Sequence, residues 1–77
     1  MTDKNISDVL DFYEQHLARS TSHHPCVIHL RTMIPKMRTF IEEGRRDKVM
    51  RWLGFMQGAF WTLEWFTLEE LKQHNTA

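Results

Sequence analysis

The sequence predicts an all-α fold, a small helical bundle, on three observations. Apolar residues recur three and four apart through long segments, and no run alternates at the period of two that a half-buried strand needs. Pro25 and Gly44 fall where a helix would begin and end. At 77 residues the chain makes one domain, residues 1–77. A chain of that size buries only about 60% of its unfolded surface, so its core is thin.

The first helix is expected over about residues 6–19, where Ile6, Val9, Leu10, Tyr13 and Leu17 share a face and acidic residues crowd the first turns. The run from Ser20 to His24 breaks it. The second helix begins near Pro25, and its stripe of Cys26, Leu30, Met33, Met37 and Phe40 keeps phase across Pro35. One bent helix therefore fits better than two, with Pro35 opposite the stripe and the carbonyl that it frees facing water. Gly44 ends that helix in the left-handed role.

The third helix is expected over about residues 46–65. Val49, Leu53, Met56, Phe60 and Leu63 form its seam, flanked by Trp52, Phe55, Ala59 and Phe66 on one side and by Met50 and Trp61 on the other. A helix so apolar around its circumference reads as the centre of the molecule. Glu64, beside the seam, is expected either as a buried acid or paired with a basic residue. A short fourth helix over about 68–74 opens with a capping box, Thr67 with Glu70, and with Phe66 and Leu71 at staple positions. The second and third helices are expected to form an antiparallel hairpin, with the first packed across it and the fourth capping one end.

Opposite the third helix's seam, Arg51, Gly54, Gly58, Trp61 and Trp65 fall within roughly 80° of one another. Glycine inside a helix costs about 1 kcal/mol relative to alanine, so two of them four apart need a reason. That spacing admits a second backbone closely, from a sister chain or from the first helix. A ligand ledge with indole stacking is the alternative. Three Trp and five Phe exceed what so small a monomer can hide, which points to a homo-oligomer.

Formal charge is balanced overall but unevenly spread. The first fourteen residues are acidic, whereas Arg31, Lys36, Arg38, Arg45, Arg46, Lys48 and Arg51 make the middle basic. Acidic–basic pairing within or between chains is the simpler reading, and an anion or nucleotide site at Arg45, Arg46, Lys48 and Arg51 the sharper one. A chain that binds nucleic acid strongly is usually basic overall. The second and third helices loosely resemble a helix-turn-helix, but the third is too apolar to read base edges.

No phosphate-cradling Gly-rich loop, nucleophile elbow or metalloprotease helix is present, so the reading is non-catalytic. His16, His23, His24, Cys26 and His29 supply five potential ligands in fourteen residues, but their spacing matches no familiar zinc signature, and neither a metal nor a cofactor is expected. His29, at the edge of an apolar stripe, reads as partly buried and hydrogen-bonded. The lone Cys26, the polar N-terminus and the polar residues Arg51, Gln57 and Glu64 that interrupt the apolar stretch near residues 49–66 lead to an expectation of a cytoplasmic protein with no membrane span.

Arg46-Asp47-Lys48-Val49-Met50, the later Phe60-Trp61 pair and the His24-Pro25 step resemble the second hairpin helix, and the entry to the first, of a class of phage-encoded anti-CBASS proteins. The resemblance spans about sixteen contiguous residues and one dipeptide. It implies a small helical oligomer, acting in the host cytoplasm, that sequesters cyclic nucleotide signals without cleaving them. The expectation is thus a non-catalytic interaction or inhibitor protein acting on a host defence or regulatory macromolecule. A cyclic-nucleotide sponge and a small regulatory DNA-binding protein are the alternatives.

Overall fold

Thr2 opens the first helix: its side chain accepts from the Asn5 amide and Asn5 reaches back to the Thr2 amide, a capping box with Asn in the place of the usual Glu or Gln. In the computed structural model, which describes Met1–Thr76, the elements are α1 (Asp3–Arg19), α2 (Pro25–Glu42), α3 (Arg46–Thr62) and α4 (Leu68–His74), with no strand among the described residues. The fold is the all-α bundle expected. α1 begins three residues earlier than the apolar pattern alone indicates, because the cap and not the periodicity sets its start.

α2 runs unbroken through Pro35, which is exposed. Its start is capped by His24, whose Nδ1 accepts the Cys26 N–H at 3.0 Å. α2 and α3 both end in Schellman turns. After α2, Gly44 takes φ +71°, with its N–H bonded to Ile41 O and that of Arg45 to Phe40 O. After α3, Glu64 takes φ +63°, its N–H bonds to Trp61 O, and the Trp65 N–H bonds to Phe60 O. α3 therefore stops at Thr62, short of the expected residue 65. The contact that sustains this turn is visible: Trp65 folds back and stacks on Phe60 at 5.3 Å between ring centres.

The core is one cluster of Ile6, Leu10, Tyr13 and Leu17 from α1, Val27, Leu30, Met33, Ile34 and Met37 from α2, and Val49, Leu53, Met56 and Phe60 from α3, with Phe66 and Leu71 closing the α4 end. α2, not α3, takes the middle position, packing against both α1 and α3. The expectation of a central third helix fails because its flanking apolar residues Met50, Phe55 and Trp61 stand in solvent. Glu64 is not buried and pairs with no basic residue among those described; it is an exposed turn residue.

Acidic α1 meets the basic middle of the chain, as within-chain pairing requires. Arg38 reaches Asp11 at 2.7 Å and Glu14 at 3.3 Å, and Arg46 reaches Asp3 at 2.8 Å. Exposed pairs of this kind each contribute at most about 1 kcal/mol. Arg31 is used differently. Its guanidinium donates to Leu17 O at 3.1 Å and to Ser20 O at 2.8 Å, binding the carbonyls left open where α1 ends.

A candidate interaction site on the outer face of α3

The period of α3 puts its seam on α2 and turns Gly54 and Gly58 the other way. Both are exposed, and a Cβ at either would meet nothing within 4 Å beyond the helix's own backbone. The expected alternative that these glycines admit α1 is thereby corrected: α1 is not there. Their lack of side chains leaves a shallow apolar groove of about 620 Å³ lined by Gly54, Phe55, Gly58, Ala59, Trp61 and Leu63, with His24 and Cys26 at its rim.

A second hollow of about 610 Å³ lies past the end of the helix, against Trp65, Phe66 and Leu68, and Trp61 also lines it. Trp61 is thus a ridge between two grooves, 56% exposed, with Phe55 and Leu68 as open as it is. Of the five residues expected on this face, Gly54, Gly58 and Trp61 come together. Trp65 departs, because the left-handed turn at Glu64 carries it off the helical wheel and onto Phe60, where it is half-buried. Arg51 faces the other end. Phe55 was legible only as a flank of the seam, yet it is among the most exposed side chains of the groove.

The basic residues gather at the start of α3. Arg45, Arg46, Lys48 and Arg51, with Gly44 and Asp47, line a hollow of about 450 Å³. Much of their charge is engaged: Arg46 holds Asp3, Arg45 lies 3.5 Å from Glu43 and 5.1 Å over the Phe40 ring, and Lys48 sits 4.5 Å over the same ring. No side chain caps this helix end, where Arg45 is the capping residue.

The five histidine and cysteine candidates scatter. His16 packs edge-on against Phe12 and Phe66, His24 caps α2, and His29 is exposed beside Phe55, not partly buried as its stripe position suggests. Among the described residues no three His, Cys, Asp or Glu side chains gather as a metal site. No described helix is long and apolar enough to cross a membrane.

Sequence reasoning misses one polar cluster entirely. Gln57, the single buried polar residue among those described, donates to Tyr13 Oη at 3.0 Å and exchanges two bonds with Asn75, at 2.9 and 3.1 Å. Tyr13 Oη then lies 2.7 Å from His74 Nδ1. Burial pushes the Tyr13 phenol up to about 12, against a smaller downward pull from the Gln57 bond. These groups satisfy one another and open onto neither groove. Comparison of the chain with protein-family models, with curated proteins and with solved structures finds no match.

Proposed function

We propose that this chain is a non-catalytic interaction protein that meets protein partners, first of all a second copy of itself, through the outer face of α3. The observation that carries the reading is the pair of uncovered glycines beside exposed Phe55 and Trp61. Each glycine costs helix stability of about 1 kcal/mol, and nothing in the monomer offsets it. The face is self-complementary by helical-wheel arithmetic. An antiparallel crossing at the glycines sets Gly54 of one copy against Gly58 of the other and brings Trp61 of each alongside exposed Met50 of its mate. Covering these side chains removes apolar area from water at about 25 cal/mol per Å². The likeness to anti-defence proteins adds the kind of further target, a host defence or regulatory macromolecule, as an inhibitor would have.

Light scattering on Gly58→Leu and Gly58→Ala tests the reading. A side chain at residue 58 has open space in the monomer, so both variants fold. Leu breaks the assembly and Ala weakens it. An unchanged mass in the Leu variant removes this face from the assembly.

A second reading has one observation in its favour, the convergence of Arg45, Arg46, Lys48 and Arg51 on one hollow at an uncapped helix start. There the chain would hold a cyclic nucleotide as an oligomeric sponge. A ligand at 100 times its dissociation constant adds about 2.7 kcal/mol to stability, so melting against a panel of cyclic nucleotides decides it. No upward shift with any of them discards the sponge.

A further inference from the structure

We propose that Tyr13, Gln57, His74 and Asn75 form an acid-sensitive latch that holds α4 on the bundle and lets it go when His74 takes up a proton.

The hydrogen-bond pattern favours one protonation state. Gln57 spends its amide hydrogens on Asn75 and on Tyr13 Oη. The Tyr13 hydroxyl, accepting there, has its own hydrogen for His74 Nδ1 at 2.7 Å. The arrangement that pairs every hydrogen has His74 Nδ1 as an unprotonated acceptor, in a neutral ring with its hydrogen on Nε2. A proton on Nδ1 turns that nitrogen into a donor toward a hydroxyl that already accepts from Gln57, and leaves the buried Tyr13 hydroxyl hydrogen without an acceptor, which is costly for a polar group out of water.

The groups around His74 bear the same way, on balance. α1 presents Tyr13 and His16, α3 presents the uncharged Gln57, and α4 itself presents Glu70 one turn earlier. Burial holds the His74 imidazole below its ordinary value; Glu70 pulls it up, and His16 adds to the depression. The docked helix thus binds fewer protons than the free one, and the part of its docking stability that depends on a neutral His74 is full above about pH 6.5 and is lost as pH falls through the lowered value.

α4 is where such a change matters. Seven residues are too few for a stable isolated helix, so its order depends on docking through Leu71, His74 and Asn75. Its departure uncovers Phe66 and the Tyr13 ring, which now close that end of the core.

Amide hydrogen exchange of α4 between about pH 8 and about pH 5, corrected for intrinsic rates, reads the latch. The opening constant rises severalfold toward acid, at most about 30-fold for a free histidine of ordinary pKa read at about pH 5. His74→Asn, whose side-chain oxygen still accepts from Tyr13, removes the rise, and His16→Gln keeps most of it. In the unmutated protein, ring nitrogen shifts report an Nε2–H tautomer and a titration midpoint below that of free histidine. A pH-independent opening, an Nδ1–H tautomer, or an undiminished acid rise in His74→Asn overturns the proposal.

Discussion

Replacing Glu64 with glycine stabilises the protein. Glu64 is the one described non-glycine residue at positive φ, 63°, and holds the left-handed position that closes the Schellman turn after α3. A side chain there costs roughly 1–2 kcal/mol, which glycine does not pay. Against that stands the larger unfolded freedom of glycine, about 0.4–1 kcal/mol. Removing an acidic group from the negative end of a helix returns about 0.3–1 kcal/mol more, and among the described residues Glu64 has no ion pair to lose. The net gain is about 1 kcal/mol, which for a domain of this size raises Tm by about 4–8 °C. Circular dichroism melting measures it, with Glu64→Gln as the control that relieves the charge alone and gains less than half as much. A lower Tm for Glu64→Gly would refute the reasoning, since the backbone at residue 64 would then not be strained.

The other expectations are simple to measure. Gly58→Ala raises the stability of the isolated chain by about 1 kcal/mol in dilute solution, because the new methyl meets open space, and a loss there would place an unseen neighbour beside it. Arg31→Met lowers stability by about 1.5–3 kcal/mol in urea titrations by stranding the Leu17 and Ser20 carbonyls; a change under about 0.5 kcal/mol contradicts that role. Tyr13 is the sole tyrosine, so its phenolate absorbance is unambiguous. With its folded pKa above the ordinary value near 10, its contribution is intact below about pH 10 and lost as pH rises through about 12. Phenol titration near pH 10 in the folded protein would show that the ring is not buried.

What the sequence made legible is what is local. Thr67 and Glu70 lie three apart, and their reciprocal bonds at 2.9 and 3.1 Å form as the capping pattern requires. The bundle and most of its buried stripes follow from periodicity, and the glycines of α3 were visible as an anomaly of propensity. Contacts between distant residues were not. Tyr13 and His74 are 61 positions apart, so nothing in either neighbourhood announces their bond. Gln57 read as a polar interruption of an apolar run, although burial with full pairing suits an amide equally well. The end of α3 was misplaced because glutamate at a left-handed position carries no sequence signal. Trp65 stacks on Phe60 across that turn, a side-chain contact that periodicity alone does not place. That same turn removed Trp65 from the partner face and left Trp61 as its prominent indole.

The outer face of α3 as a meeting place for two copies is the claim on which the functional reading depends. Isotope-filtered NMR on an equal mixture of labelled and unlabelled chains tests it most directly. Cross-peaks from the Met50 methyl of one copy to the Trp61 indole of another are expected, and they vanish in Gly58→Leu. A sample that stays at the mass of a single chain up to millimolar concentration, with no such cross-peaks, contradicts the account.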